Sequence, residues 1–214
     1  MPHPAHEIIQ GLSEAHAVIS PKYFYDDCGS RLFEQITRLP EYYPTRTEAA
    51  ILAQQAGEIA RLVGPGRVVI EPGAGNCEKA RHLCRAIGAS QYVGVDISAD
   101  FLQEAVQGLR RDMPGLRAQA VGGDLTQGIH LPVDVPAAHR LVFYPGSSIG
   151  NFDRPQALDL LSRMRGLVQH DGALLIGVDL RKDVSVLEAA YDDAAGVTAE
   201  FNLNMLSHVN RLVG

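Results

Sequence analysis

Three cysteines, Cys28, Cys77 and Cys84, form no C-x-x-C pair and cannot all be bridged, which excludes a disulfide framework and points to a reducing compartment. All three are read as free thiols. No apolar run approaches the length of a bilayer span, and Met1 to Gln10 lack a basic segment followed by an apolar one. A cytoplasmic protein with no membrane partner is expected. There is no excess of positive charge: 19 Lys and Arg stand scattered among 25 Asp and Glu, for a net charge of -6, so nucleic acid is not an expected partner. The 8 histidines are dispersed without ligand spacing, and the neighbouring acids Asp192 and Asp193 are read as a solvated helix face, so no metal site is expected. Nothing repeats and no segment is of low complexity. At 214 residues the chain is one domain, or one with an appendage.

What remains is periodicity. Leu32, Phe33, Ile36 and Leu39 have helical spacing over Ser30 to Leu39, and Pro40 ends the run. Thr47 to Val63 reads as a second helix before Gly64-Pro65-Gly66 breaks the chain. Strands and helices then alternate, the pattern of a parallel sheet with helices on both faces. Strands are expected at Arg67 to Glu71, Tyr92 to Ile97, Leu116 to Val121, Arg140 to Tyr144 and Ala173 to Asp179, and helices at Asn76 to Ile87, Ala99 to Arg111 and Arg154 to Val168. Right-handed crossovers put Gly73, Asp96, Asp124, Gly146 and Asn151 in loops at one edge of that sheet, where ligands bind. Beyond Asp179 the alternation stops, and Val184 to Tyr191 and Thr198 to Leu212 read as two more helices.

The sharpest local signal is Val68-Val69-Ile70-Glu71-Pro72-Gly73-Ala74-Gly75 followed, about one helix later, by Tyr92-Val93-Gly94-Val95-Asp96. A strand, a glycine turn, a helix and a second strand ending in an acid make a nucleotide-cofactor site, with Asp96 placed to accept from ribose hydroxyls. A dinucleotide site would carry a third glycine where Glu78 stands. Glu71 and Glu78 would repel a pyrophosphate but suit S-adenosylmethionine, which has no phosphate and carries a sulfonium and an amino group. Cys77, opening the helix after the turn, is read as a small apolar filler rather than an activated thiol.

Four blocks carry a more specific resemblance. They are Phe24-Tyr25-Asp26-Asp27-Cys28-Gly29-Ser30 with Leu39-Pro40-Glu41-Tyr42-Tyr43-Pro44-Thr45-Arg46, the glycine turn through Lys79, Gly146-Ser147-Ser148-Ile149-Gly150-Asn151-Phe152, and Ala190-Tyr191-Asp192-Asp193-Ala194-Ala195-Gly196-Val197-Thr198. In this order the chain resembles the L-histidine N-alpha-methyltransferases of ergothioneine biosynthesis, from Pro21 to Gly214. The resemblance implies a Rossmann-like class I methyltransferase fold with helical additions at both ends. It also implies the cofactor S-adenosylmethionine and three methyl transfers to the alpha-amine of L-histidine, giving hercynine.

By motif, the cofactor falls to Tyr25, Gly73, Lys79, Asp96, Asp124 and Leu125, and histidine to Tyr42, Gly146, Asn151, Tyr191 and Thr198. The Gly146 carbonyl and the Tyr25 hydroxyl would direct the reacting amine, the catalytic role. Each assignment competes with an ordinary structural one: Tyr42 as cover for a core edge, Asn151 as a turn or cap residue, Tyr191 as helix packing. Residues 1–64 are expected to form a helical segment that contributes to the substrate site, 65–180 the cofactor domain, and 181–214 the helical start of a substrate region. The family pattern continues past the last residue matched here, so a C-terminally truncated substrate region is expected, and a monomer where that pattern is complete. Two alternatives stay open: an N-methyltransferase for another amino acid amine, such as dimethylallyltryptophan, or a non-catalytic fragment completed by a partner chain through Phe201, Leu203, Leu206 and Val209.

Overall fold

The computed structural model describes residues 4–169 and 171–214. In chain order come α1 (Pro4–Leu12), a 3-10 turn (Pro21–Phe24), α2 (Asp27–Ile36), α3 (Tyr43–Gln54) and α4 (Ala56–Val63). Alternation follows: β1 (Val68–Pro72), α5 (Glu78–Ile87), β2 (Gln91–Asp96), α6 (Ala99–Asp112), β3 (Arg117–Gly122), β4 (Arg140–Tyr144), a 3-10 turn (Ser148–Asn151), α7 (Arg154–Val168) and β5 (Ala173–Ile176). Then come α8 (Val184–Tyr191) and α9 (Val197–Val213). The sequence placed divisions at residues 64 and 180. The chain folds as two compact units, Pro44–Arg181 and the residues up to Tyr43 together with Lys182–Gly214.

The first unit is a five-stranded parallel sheet in the order β3-β2-β1-β4-β5. Alternate side chains of each strand serve opposite faces. Val69, Tyr92, Leu141 and Phe143 pack with Ala80, Leu83, Cys84 and Ile87 of α5 and Leu102, Val106 and Leu109 of α6. Val68, Ile70, Val93, Val95, Val142 and Tyr144 pack on the other side with Leu160, Met164 and Val168 of α7. The strand order reverses beside β1, where β2 lies on one side and β4 on the other, and this is where an open parallel sheet makes its ligand crevice.

Two readings need correction here. The helix expected from Thr47 to Val63 is broken, because Gln55 leaves helical geometry (φ -99°, ψ 8°) and α4 starts afresh, letting Leu52 and Val63 reach the core while Ile51 and Leu62 stay exposed. The last strand ends at Ile176 rather than Asp179: Gly177 N–H still donates to the Tyr144 carbonyl (3.0 Å), but Asp179 N–H turns to the Ser147 hydroxyl (2.9 Å) and leaves the ladder.

The second unit has no sheet among its described residues, and aromatic rings fill its core. Phe24 stacks on Phe201 of α9 with ring centroids 4.9 Å apart, and Tyr25 and Phe33 meet the same ring at 5.6 and 5.9 Å. Helix α2 begins three residues before the periodicity indicated, because Asp26 caps it by accepting Gly29 N–H at 2.8 Å. Asp26 also takes the Asn204 amide at 2.7 Å and pairs with Arg211, fastening α2 to α9. Of the apolar residues along α9, Phe201 and Val209 are buried while Leu203 and Leu206 are exposed, so they do not form one continuous apolar face. No described helix is long and apolar enough to cross a membrane.

Candidate active site

After β1 the chain must reverse onto β2, and Gly73 (φ 70°) and Gly75 (φ 52°) supply left-handed conformations that do it. The N–H groups of Gly73 and Ala74 donate to the Val95 carbonyl at 2.8 and 3.2 Å, laying the turn against β2. Asp96, the last residue of β2, accepts Gly75 N–H on one carboxylate oxygen and Ser98 N–H on the other, each at 3.0 Å. Burial pushes this carboxyl above its ordinary value, and the Ser98 and Gly75 N–H groups oppose that without cancelling it. A carboxylate has about four acceptor sites, so it can still accept a hydroxyl donor beside these N–H groups. A Cβ on Gly73 would lie 3.8 Å from Leu125 Cδ1, which places the Leu125 side chain beside the turn. Asp124 shapes that loop by accepting the Thr126 N–H and hydroxyl at 2.8 and 2.6 Å.

Glu71 does not face the crevice, contrary to the sequence reading. It is 2 % exposed, and its carboxyl receives the Tyr92 hydroxyl at 2.5 Å; the same hydroxyl lies 3.3 Å from Cys77 Sγ. The cause is the sheet itself: β1 is central and covered on both faces, so every side chain from Val68 to Pro72 is inside. Gly94 makes room, since a Cβ there would meet the Tyr92 hydroxyl at 2.9 Å. Burial drives the Glu71 carboxyl up to about 8, against the Tyr92 hydrogen bond and the Lys79 charge. Glu78 does stand exposed at the start of α5. Cys77 is buried and burial pushes its thiol far above the ordinary range, so it packs as a filler; all three cysteines are free.

Lys79, one residue into α5, reaches Glu48 of α3, with Nζ 2.5 Å from Oε2. The same carboxylate accepts Gly146 N–H at 2.8 and 3.0 Å through its two oxygens. Gly146 follows β4 in the left-handed region (φ 84°), where a Cβ would sit 3.1 Å from Lys79 Nζ. The sequence reading named Lys79 and Gly146 but missed the acid between them. Asn151 ends the 3-10 turn that follows and is exposed; the cap of α7 is Asp153, which forms a capping box with Gln156.

In the helical unit Tyr42 is buried, with its ring edge-on to Phe33 (6.0 Å) and to Tyr191 (5.9 Å), and Tyr191 is 57 % exposed. Tyr25 lies in the same aromatic group, edge-on to Phe33 at 5.6 Å. Thr198 is buried in the first turn of α9 and its N–H donates to Asp193 at 2.7 Å. This corrects the reading of the acidic pair. Asp192 is exposed, but Asp193 is buried, and its carboxylate accepts the N–H groups of Val197 (3.0 Å) and Thr198 at the start of a helix. Burial would raise its carboxyl, and hydrogen bonds from Thr198 and Val197 override that and hold it at about 2. No group of three or more His, Cys, Asp or Glu able to hold a metal occurs among the described residues.

The residues that the sequence assigns to cofactor and substrate therefore divide between the two units. Gly73, Lys79, Asp96, Asp124, Leu125, Gly146 and Asn151 belong to the sheet unit, and Tyr25, Tyr42, Tyr191 and Thr198 to the helical unit. Residues 4–214 match the profile of the family described as histidine-specific methyltransferase, SAM-dependent, where SAM is S-adenosylmethionine. The chain is 43% identical over 209 residues to the histidine N-alpha-methyltransferase of Mycolicibacterium smegmatis and 39% identical to that of Mycobacterium tuberculosis, covering 96% of its own length and 64% of each relative. Among solved structures, the magnesium protoporphyrin IX methyltransferase of Synechocystis PCC 6803 with bound SAM superposes with a TM-score of 0.57 at 14% identity, over 84% of this chain and 88% of that one.

Proposed function

Because the chain belongs to the family of histidine-specific, SAM-dependent methyltransferases, we propose that it binds SAM at the Gly73 turn and methylates the alpha-amine of L-histidine, three times in succession, to give hercynine. The observation that carries this reading is the turn itself: two left-handed glycines, Gly73 fastened to the Val95 carbonyl and Gly75 to the Asp96 carboxylate at the end of the neighbouring parallel strand, with Lys79 one residue into the following helix. The donor set fits the cofactor. Asp96 offers acceptors for ribose hydroxyls, Leu125 an apolar surface beside the turn, Asp124 an acceptor for the adenine edge, and Lys79 a cation for the amino-acid carboxylate.

SAM would supply a methyl carbon activated by the positive sulfur. The chain has no covalent intermediate to form, and its contribution is orientation. An amine attacks only when uncharged, and an alpha-amine has a reference pKa of ~8, so a site that steadies the neutral form makes attack possible near neutral pH. We assign the Gly146 carbonyl and the Tyr25 hydroxyl to directing that amine. Asn151 and Tyr191 supply neutral donors for the substrate carboxylate, Tyr42 a hydroxyl for the imidazole, and Thr198 a further polar contact. Anchoring through carboxylate and ring leaves the nitrogen free to be presented again as it gains methyl groups.

The test is incubation with SAM and a panel of amino acids, including tryptophan derivatives, read by mass spectrometry. Histidine alone gaining three methyl groups is the expected result. Methylation of a tryptophan derivative in preference to histidine contradicts the substrate, and transfer to none, with cofactor product demonstrably bound, contradicts catalysis by this chain.

A further inference from the structure

Glu48 projects from the middle of α3 to the edge of the sheet, where its carboxylate meets the first turn of α5 and the loops after β4 and β5. It holds the Lys79 ammonium at 2.5 Å and the Gly146 N–H at 2.8 and 3.0 Å, with its side chain 17% exposed. The second of these loops is that of Gly177, directly after β5. A Cβ on Gly177 would lie 2.0 Å from Glu48 Oε1, so the missing side chain is the seat of this carboxylate.

We propose that Glu48 is a positioning residue of the methyl-transfer site, holding Lys79 and the Gly146 turn in the geometry that receives the cofactor; this rests on the function proposed above. A lysine carries its charge on a flexible stem, and ordering such a stem costs rotamer entropy. The Glu48 bond settles that cost before any ligand arrives, which is how preorganisation raises affinity. An ammonium has three donors, so Lys79 can keep Glu48 and still grip a second carboxylate. Glu48 also fixes one end of residue 146, whose carbonyl at the other end is assigned to the reacting amine.

The experiment is calorimetric titration of the 214-residue chain with S-adenosylhomocysteine, beside urea denaturation of each variant. Glu48→Gln keeps the size and an acceptor for Gly146 but loses the ion pair, and affinity should fall about tenfold, the equivalent of ~1.4 kcal/mol. Gly177→Ala leaves Glu48 and Lys79 unaltered in sequence and evicts the carboxylate. Its φ is not positive and the severe clash is with the end of a flexible side chain; the Gly146 backbone nitrogen, 3.3 Å from the new Cβ, must also give slightly, so the urea midpoint of this variant is read beside its affinity. It should weaken binding by at least that factor, and because the evicted end can be acid or amide alike, the double variant should be no weaker than Gly177→Ala alone. Glu48→Asp should recover part of the loss.

Affinities of both single variants within about twofold of the original, or single losses that simply add, would overturn the role. Tighter binding by Glu48→Gln would overturn it in another way, showing a carboxylate that competes with the ligand instead of preparing for it. Lowered urea midpoints with unchanged affinity would reduce Glu48 to a structural contact. If the unaltered chain binds no S-adenosylhomocysteine, the proposed function itself fails along with this inference.

Discussion

Each unit of the molecule buries a carboxylic acid, and the two acids are driven in opposite directions. Glu71, in the sheet unit, receives one hydroxyl from Tyr92 amid apolar neighbours, and burial pushes it up to about 8. Asp193, in the helical unit, receives two backbone N–H groups at the start of α9, and hydrogen bonding from Thr198, side chain and backbone, and from Val197 overcomes burial and holds it at about 2. The difference is one of donor supply. A strand inside a parallel sheet has spent its N–H groups on its neighbours, whereas the first turn of a helix has them to spare. Asp96 lies between the extremes: it sits where a strand ends and a turn begins, gains two N–H donors, and is still raised by burial. Such an acid remains able to bind a ligand because its donors come from a turn whose shape is already fixed.

The comparison can be tested acid by acid. Glu71 is protonated in folded and unfolded chains below about pH 4.5; between there and about pH 8 the unfolded chain gives up its proton while the folded chain keeps it. Stability of the original chain relative to Glu71→Gln should therefore decline across that window, by on the order of 5 kcal/mol, and level off above it. Urea denaturation at a series of pH values measures this, and parallel curves for the two proteins would remove the buried-acid account.

Asp96→Ala strips an acceptor from the turn and, with the cofactor bound as proposed, from the ribose. A loss of about 100-fold in S-adenosylhomocysteine affinity is expected, roughly 3 kcal/mol. A variant that binds as well as the original would mean that this acid, like Glu71, is purely internal.

Asp193→Asn should behave oppositely to Glu71→Gln. The folded carboxyl is depressed, so its contribution is complete above the unfolded value near 3.8 and is lost as pH falls through about 2. Acid titration followed by circular dichroism should show the original chain losing its advantage over the variant only in that range; an advantage that persists at the bottom of it would contradict the helix-start assignment. The smallest effect is expected from Tyr191→Phe, which removes one neutral donor from an exposed ring. It should raise the Michaelis constant for histidine about fivefold with cofactor affinity unchanged, and equal losses of both would contradict its assignment to the substrate.

The sheet unit was the more legible of the two because its core strands are short apolar runs separated by glycine turns, and that pattern is local. The end of β5 was not, since it depends on a Ser147 hydroxyl 32 residues away that captures Asp179 N–H. Glu48 carries no local signature either: it stands mid-helix, and its Gly146 partner is 98 residues distant. Glu71 had a trace in the sequence, an acid inside an otherwise apolar strand with Gly94 in the next, paired opposite it. In the helical unit, periodicity found α8 and α9 but not the role of Asp193. That role arises because Gly196 adopts φ 77° and turns the first N–H groups of α9 back onto the acid, a geometry hinted at only by the spacing Asp193-Ala194-Ala195-Gly196.

All of these assignments depend on the Gly73 turn and Asp96 being where the cofactor binds. A crystal structure of the chain with S-adenosylhomocysteine tests it most directly. The ribose hydroxyls should lie within hydrogen-bonding distance of the Asp96 carboxylate, about 3 Å, with the amino-acid carboxylate on Lys79. A ligand bound anywhere else on the chain, leaving Asp96 with only Gly75 and Ser98, would contradict it.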